Sequence, residues 1–451
     1  MSSALHKSDL TAWFASGCKP REQWRIGTEH EKIGFCTDSL RPTPYINPAM
    51  PERSIRNLLQ SMASDGWQLV LEQNQPIALK SGLASVTLEP GGQLELSGAP
   101  LASIHETCLE TNEHLTLLSL LTKDLGIGFL SMGFQPKWKR EDIPWMPKKR
   151  YNIMREYMPK VGSKGLDMML RTTTVQANLD FSSETDMARK MRIGSCLQPI
   201  VTALFAASPF KEGKPSGLLS TRAACWLDTD PSRTGIPACI FDDDFGFESY
   251  TEWLLDVPMY FIIRDGEYIN CTGQSFRDFM AGKLPTLPGE TPTMDDWELH
   301  ASTAFPEVRL KQFLEMRGAD AGPQPWLCAL PALWKGLLYD ETALGQSGDM
   351  VAEWQHREVE NLRQHVPTLG LNTAFRDTTV LTLAEQMFEI ASGGLERIAE
   401  LNSRNEDERI YLRPLIHAIE HKHTQAEYWL DAYHSSWHGN IDRAFFEAIH
   451  P

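Results

Sequence analysis

Four segments of this chain alternate polar and apolar residues with a period of two, which is the pattern of a β-strand with two different faces. At the polar positions carboxylates and amides predominate, and glycines stand close by. Alternation usually marks a strand with one face in solvent, but such faces ordinarily mix Lys, Thr, Ser and Glu. The polar positions are Glu29 and Glu31; Glu89, Gln93, Glu95 and Ser97; Thr174, Gln176, Asn178 and Asp180; and Glu315 and Arg317.

The five glutamates of this set would repel one another on converging strands unless a cation lay between them. Hard divalent cations prefer oxygen ligands, and Mg²⁺ with a nucleoside triphosphate is the commonest case. The set therefore predicts a magnesium and nucleotide site. No G-x-x-x-x-G-K-[ST] phosphate loop occurs in the sequence, so the chain is not a P-loop ATPase.

The composition of the chain limits which molecules the protein can bind and in which cellular compartment it is expected. A net charge of −16 over 451 residues argues against nucleic acid, because phosphate backbones are bound by basic surfaces. The N-terminal segment lacks an apolar stretch of signal-peptide length, and the most apolar run meets Lys123 and Asp124 too soon to span a membrane. We therefore expect a cytoplasmic protein that binds neither nucleic acid nor membrane.

The order of predicted elements favours an α+β fold, because strands come in clusters with helices between and after them. No stretch has the composition of a linker, so we expect one catalytic domain over 1–451, with a mainly helical layer over about 350–451. Helices are predicted over 1–20, 51–70, 101–125, 350–364, 379–402 and 410–433. Strands are predicted over 24–36, 68–72, 76–80, 84–89, 93–97, 127–134, 172–181, 258–264 and 305–317.

Several motifs resemble those of plant-type glutamate–cysteine ligases. The resemblance extends with few gaps from about residue 20 to 340 and weakens in the helical tail. Its clearest parts are the runs at 26–35, with Gly27-Thr-Glu-His-Glu31, and at 88–100, with Glu89-Pro-Gly-Gly-Gln-Leu-Glu95. Further matching runs lie at 133–137, 146–151, 166–171, 208–222, 306–310 and 316–320.

The resemblance implies a fold similar to the glutamine synthetase catalytic domain, a curved and mostly antiparallel half-barrel sheet backed by helices. It also implies an enzyme that uses ATP and two or three Mg²⁺ ions to join the γ-carboxylate of glutamate to the amino group of cysteine. The carboxylate would be activated as γ-glutamyl phosphate, and the reaction would be the first step of glutathione biosynthesis.

Roles for single residues also follow from the resemblance. The family's magnesium ligands correspond to Glu29, Glu31, Glu89, Glu95 and Glu315, with Gln176 as a possible further ligand. Arg317, with Lys80 as a second candidate, would stabilise charge on the transferring phosphoryl group. Substrate binding falls to Arg150, Thr174 and Arg222 on the glutamate side and to Tyr260 on the cysteine side, and Asn178 is a further substrate-binding residue.

The cysteines allow a further comparison with the family. The resemblance implies that Cys108 and Cys328 lie close enough to form a disulfide, while the other six cysteines stay unpaired. A second family pair cannot form, because Thr286 stands fifteen residues after Cys271, where a cysteine would be needed. We therefore expect modest redox control and a monomer. The plastid transit peptide of plant members is lacking, which favours a bacterial cytoplasmic enzyme.

Three alternatives stay open at this point. The chain could be a ligase of the same superfamily that uses another amine. It could also be a non-catalytic relative that binds metal or nucleotide, although such a relative would have no reason to retain repelling carboxylates. The third alternative is a metal-dependent hydrolase that uses the same carboxylates without ATP.

Overall fold

The alternating segments pair with one another in a single nine-stranded sheet, in a computed structural model that describes residues 5–450. The strand order is β8-β9-β7-β1-β5-β4-β3-β2, β6 pairs with the far end of β1, and every pair is antiparallel. The bounds are β1 Ile26–Cys36, β2 Gln68–Glu72, β3 Gln75–Ser81, β4 Ala84–Leu88, β5 Leu94–Ser97, β6 Ile127–Leu130, β7 Thr174–Leu179, β8 Val308–Leu310 and β9 Leu314–Asp320.

Seventeen α-helices surround and extend this sheet within the described residues. They are α1 Lys7–Ala15, α2 Ile55–Ala63, α3 Ile104–Leu125, α4 Lys149–Val161, α5 Gly165–Arg171, α6 Glu184–Leu204, α7 Thr221–Trp226, α8 Phe247–Asp256, α9 Phe276–Met280, α10 Met294–Ser302, α11 Gln324–Leu338, α12 Glu341–Val351, α13 His356–Leu369, α14 Val380–Ile398, α15 Arg413–Glu420, α16 Gln425–His434 and α17 Ala444–Glu447. Short two-stranded hairpins pair Phe261–Arg264 with Glu267–Asn270, Ala374–Phe375 with Thr378–Thr379, and Phe210–Lys211 with Lys214–Pro215. A parallel pair joins Thr234–Gly235 to Phe305–Pro306.

The register of the sheet brings the polar positions of its central strands onto one face. On β1, Glu29 lies opposite Gln176 of β7, and Glu31 lies opposite Glu95 of β5. On β9, Glu315 lies opposite Asn178 of β7. Because side chains of a strand alternate between faces, these residues must point to the same side. The shared polar face that the sequence predicts is therefore confirmed.

The other face of the sheet packs on buried helices. Val175, Ala177 and Leu179 of β7 are fully buried in the main core, and α11 contacts β7 and β1 on this side. Helix α6 covers β9 in the same way. The two faces of the central strands thus serve different purposes, since one builds the core and the other builds a polar cavity.

The connection between β4 and β5 is a tight turn at Pro90–Gly92. The Glu89 N–H donates to the Gln93 carbonyl at 2.9 Å, and the Gly92 N–H donates back to the Glu89 carbonyl at 2.9 Å. Gly92 has φ of 86°, a conformation that glycine adopts without strain. The turn holds Glu89 beside the face that carries Glu95.

Two predicted elements are each divided in two in the structure, and the helix predicted over 350–364 spans the break between α12 and α13. The strand expected over 305–317 is a hairpin, β8 and β9, because the chain turns at 311–313, where the Lys311 N–H donates to the Phe313 carbonyl. The helix expected over 410–433 is two helices, α15 and α16. They are separated by a turn in which Lys422 has φ of 52°, outside the helical range.

The disulfide implied by the family resemblance is present. Cys108 of α3 and Cys328 of α11 are bonded, with their Cα atoms 5.4 Å apart and 220 residues between them in the sequence. The six other cysteines are free, including Cys271, and the Gln274 amide donates a hydrogen bond to the Thr286 hydroxyl nearby. Within residues 5–450 no helix is both long and apolar enough to span a membrane.

Candidate active site

The polar face of the sheet closes one side of a cavity of about 340 Å³. Strands β1, β4, β5, β7 and β9 supply this side, and α4, α5 and α7 contribute residues from the others. The predicted site residues that line it are Glu29, Glu31, Glu89, Glu95, Glu315, Gln176, Arg317, Arg150, Thr174, Arg222 and Tyr260. Positions far apart in the sequence are therefore brought into one enclosure.

Three of the carboxylates are fixed by hydrogen bonds from neighbouring strands. A Glu29 oxygen accepts from the Asn178 amide at 2.8 Å, and a Glu31 oxygen accepts from the Thr174 N–H at 3.0 Å. Glu95 accepts from the Thr87 hydroxyl at 2.8 Å. Each bond occupies one carboxylate oxygen and leaves the other oxygen available to a ligand in the cavity.

These carboxylates resist ionisation in the absence of a cation. Removal from bulk water raises the pKa of Glu29 to about 7, and repulsion from Glu315 and Glu95 adds to the effect. The same desolvation raises the pKa of Glu31 well above its usual range, with repulsion from Glu95 and Glu89 next in importance. The pKa of Glu95 is also raised, by burial first and then by Glu89. A bound divalent cation would favour the ionised forms.

Glu315 behaves in the opposite way because three cations surround it. Arg309 donates to both carboxylate oxygens at 2.8 Å, Lys311 Nζ lies 3.2 Å away, and Arg317 Nη1 donates as well. Although burial opposes ionisation, attraction from these cations lowers the pKa of Glu315 well below its usual range. Glu315 is therefore an ionised anchor for a basic end of the cavity.

The two arginines predicted to bind glutamate differ in how many donors remain free. Arg150 has a buried Nε with no hydrogen-bond partner among the described residues, and its Nη2 only reaches the Tyr151 hydroxyl at 3.4 Å. Arg222 instead donates to the carbonyls of Gly318 and Arg317, at 3.2 and 2.7 Å. Arg150 is thus the better prepared of the two for an anionic ligand, because an unpaired buried donor is unfavourable.

Thr174 and Tyr260 lie at other parts of the wall. The Thr174 hydroxyl donates to the Ala319 carbonyl at 2.8 Å, so it also ties β7 to β9. The Tyr260 ring is stacked edge-to-face on Tyr157, and the Arg233 guanidinium lies 3.7 Å from the centre of the Tyr260 ring. These contacts restrict the Tyr260 ring, which lines the cavity beside Phe261.

Two predicted residues do not belong to the lining. Lys80 is exposed on β3, where it pairs with Gln68 and Ser85. Asn178 acts behind the lining, through its hydrogen bond to Glu29, rather than as a wall residue. The register places Lys80 in the same cross-strand row as Glu29, through Ser85 and Ser97, but three strands away and outside the lining. Asn178 contacts a predicted metal ligand.

Other lining residues were missed by reasoning from the sequence. Arg309 and Lys311 alternate with Val308 and Leu310, which is the same period-two signal as in the acidic strands. This alternation indicates that Arg309 and Lys311 share one face of a strand, but it does not indicate that this face meets the acidic strands. Trp226, by contrast, comes from the end of α7 and carries no such pattern.

The donor chemistry of the cavity fits Mg²⁺. Its acidic end offers carboxylate and amide oxygens, and three of its glutamates are poorly ionised without a cation. Within residues 5–450 no three His, Cys, Asp or Glu side chains are grouped so that they could hold an ion alone. Magnesium commonly uses one or two carboxylates together with water and substrate phosphates, so pairs such as Glu31 and Glu95 suffice.

Comparison with known proteins identifies close relatives. The model of the family described as glutamate–cysteine ligase family 2 matches residues 25–447. Glutamate–cysteine ligase B, chloroplastic, of Oryza sativa subsp. japonica is 54% identical over 451 residues, which cover 100% of this chain and 88% of the relative. The chloroplastic glutamate–cysteine ligase of Brassica juncea is 55% identical over 447 residues, covering 99% and 84%. That of Arabidopsis thaliana is 53% identical, covering 99% and 83%.

A solved structure shares the fold. The glutamate–cysteine ligase of Francisella tularensis, crystallised in complex with AMP, superposes with a TM-score of 0.54 over 94% of this chain and 87% of its own. The two sequences are only 13% identical. This likeness confirms the predicted fold, a large antiparallel sheet backed by helices, in a sequence that has diverged widely.

Proposed function

The chain belongs to glutamate–cysteine ligase family 2, and we propose that it joins the γ-carboxylate of glutamate to the amino group of cysteine with ATP and Mg²⁺. The observation that carries this proposal is one cavity with an acidic end at Glu29, Glu31, Glu89 and Glu95 and a basic end around Glu315. Such a cavity can hold metal-bound phosphates between its carboxylates and its basic side chains, and Arg150 is left to bind an anionic amino acid.

Amide formation from a carboxylate is unfavourable in water, so the γ-carboxylate must first be activated. In the proposed reaction a γ-carboxylate oxygen attacks the γ-phosphorus of ATP, ADP leaves, and γ-glutamyl phosphate forms. The cysteine amine then attacks the acyl carbon, phosphate leaves, and the amine loses a proton. Bound Mg²⁺ would neutralise phosphate and carboxylate oxygens during these steps.

The chain's own residues would orient the reactants. Glu29, Glu31, Glu89 and Glu95, with Gln176, would hold two or three metal ions beside the phosphates. Glu315, predicted as a further ligand, is already paired with Arg309, Lys311 and Arg317. Arg317 would meet the transferring phosphoryl group, because its Nη1 already bridges Gln176 at 3.0 Å and Glu315. Stabilising charge that develops during the transfer is the largest contribution expected from such a site.

Arg150 would bind the α-carboxylate of glutamate through its unpaired Nε. Thr174 and Arg222 would complete this subsite, and Tyr260 would border the cysteine side. A fixed α-carboxylate directs the γ-carboxylate of the same molecule towards the phosphates, which converts a chance encounter into an oriented one. One catalytic domain and a monomeric state complete the proposal.

The proposal predicts a particular pattern of ADP release. With ATP, glutamate and Mg²⁺, the purified protein should release ADP rapidly only when cysteine is added, and γ-glutamylcysteine should accumulate in equal amount. The measurement is coupled ADP detection together with chromatography of the thiol product. ADP release without peptide formation would mean that ATP is hydrolysed instead of being used for ligation, and a faster reaction with another amine would identify a different ligase.

The cytoplasmic location predicted from the sequence is contradicted by the relatives. The rice, Brassica and Arabidopsis proteins, 53–55% identical to this chain, are all named as chloroplastic enzymes. Their names indicate a plastid rather than the cytoplasm. Neither the charge of the chain nor the absence of a long apolar segment distinguishes these two aqueous compartments, which is why the composition misled the prediction.

A further inference from the structure

A lysine other than Lys80 lies at the basic end of the cavity. Lys311 follows β8 directly and lines the cavity, whereas Lys80 is exposed on β3 outside it. The Lys311 side chain is 26% exposed, so it is accessible from the cavity without being free in solvent. Lys311 is held in place by Glu315 and can still be reached by a ligand in the cavity.

Lys311 also keeps donors that its protein contacts do not use. Its Nζ lies 3.2 Å from Glu315, and an ammonium group has three protons to donate. Arg309, on the same strand end, uses four of its five N–H donors by comparison. It donates to both oxygens of Glu315 and to the carbonyls of Ser302 and Ala304.

The basic side chains around Lys311 line the same cavity as the acidic side chains of β1 and β5. Lys311, at the end of β8, and Glu29, on β1, both line it. A polyphosphate bound to magnesium at the acidic end would extend from the carboxylates towards Lys311. Arg309, Lys311 and Arg317 carry three positive charges, and Glu315 carries one negative charge. A net positive charge therefore remains to attract the polyphosphate.

We propose that Lys311 contacts the terminal phosphates of ATP, and that Lys80 does not serve this purpose. The inference rests on the proposed function, since it assumes that a nucleotide enters this cavity. Arg309 is the positioning residue that keeps Glu315, and through it Lys311, in place. Lys311, together with Arg317, distinguishes a triphosphate from a monophosphate.

The test compares nucleotide binding in the full-length Lys311→Met variant and the wild type. Calorimetric titration in the presence of Mg²⁺ should show that affinity for the β,γ-imido analogue of ATP falls about 10- to 100-fold. Affinity for AMP should stay within about twofold, because AMP lacks the terminal phosphates. The Lys311→Arg variant, which keeps the charge, should recover most of the lost affinity.

The matched control is Lys214→Met, which removes an exposed lysine outside the cavity and should leave both affinities unchanged. Equal losses for AMP and the triphosphate analogue would overturn the proposal, as would an unchanged affinity for the analogue. A large loss in Lys80→Met but none in Lys311→Met would also overturn it. If the wild type binds the analogue but forms no peptide, the proposed function fails while the role of Lys311 stands.

Discussion

Replacing Glu95 with glutamine should lower ligase turnover by about 100-fold or more, because a magnesium ligand at the acidic end of the cavity is lost. Glutamine keeps the shape of the side chain and can still accept from the Thr87 hydroxyl. Glu95 lies directly opposite Glu31 on the neighbouring strand. The variant therefore changes charge at the site with little change in packing.

The thermal stability of the metal-free Glu95→Gln variant should not fall with its turnover. Burial and the neighbouring Glu89 raise the pKa of Glu95, which means that its ionised form is unfavourable without a cation. An uncharged amide removes this repulsion, so the metal-free variant should melt at the same temperature as the wild type or higher. Added Mg²⁺ and nucleotide should raise the melting temperature of the wild type more than that of the variant.

A matched control is Glu110→Gln, at a partly buried carboxylate of α3 that accepts from the Ala99 N–H outside the cavity. This variant loses one carboxylate charge without touching the proposed metal site, and its turnover should be close to that of the wild type. Steady-state rates and thermal melts of all three proteins decide the matter. Near-normal turnover in Glu95→Gln would refute the metal assignment.

The second large effect is expected at Arg150. Arg150→Lys keeps the positive charge but loses the planar pair of donors that matches a carboxylate. The Michaelis constant for glutamate should rise about 10- to 100-fold, and that for ATP should change little. Initial rates at varied glutamate and varied ATP measure the two constants. An effect mainly on ATP would place Arg150 with the nucleotide instead.

Two further substitutions make this test sharper. Arg155→Lys changes an exposed arginine on the same helix and should alter neither constant. Arg222→Lys should affect both glutamate and ATP, because Arg222 also holds the carbonyls of Arg317 and Gly318. The difference between Arg150 and Arg222 follows from their hydrogen bonds and could not be derived from their positions in the sequence.

Most strands around the site could be predicted because each has one polar and one buried face. The alternation along β1, β5, β7 and β9 sets which residues share a side, and pairing then brings them together. Helix α3 was equally predictable from the sequence. Ser103 and Glu106 form a capping box at its start, and Gly126 ends it with φ of 63°.

Other helices gave no usable pattern. Helix α6 is buried along nearly its whole C-terminal half, and α11 is buried from Leu327 to Leu338, so neither shows an apolar stripe. Each also contains a proline, Pro199 and Pro331, which weakens a helical prediction. Helices surrounded by core have no solvent face, and periodicity depends on the contrast between two faces.

The charge state of Glu315 was the least predictable feature of the site. In the sequence it belongs with the other glutamates of the acidic set. In the structure the hairpin of β8 and β9 folds Arg309 and Lys311 back against it, which separates it from the poorly ionised group. That outcome depends on a turn at 311–313 within a segment that we predicted as one strand.

The central claim is that the γ-carboxylate of glutamate is activated by phosphoryl transfer inside this cavity. The most direct measurement uses glutamate labelled with ¹⁸O in its γ-carboxylate, incubated with the enzyme, ATP, Mg²⁺ and cysteine. Mass spectrometry of the released phosphate should find one ¹⁸O atom per phosphate, because the carboxylate oxygen leaves with the phosphoryl group. Phosphate without ¹⁸O, accompanied by normal peptide formation, would contradict activation as γ-glutamyl phosphate.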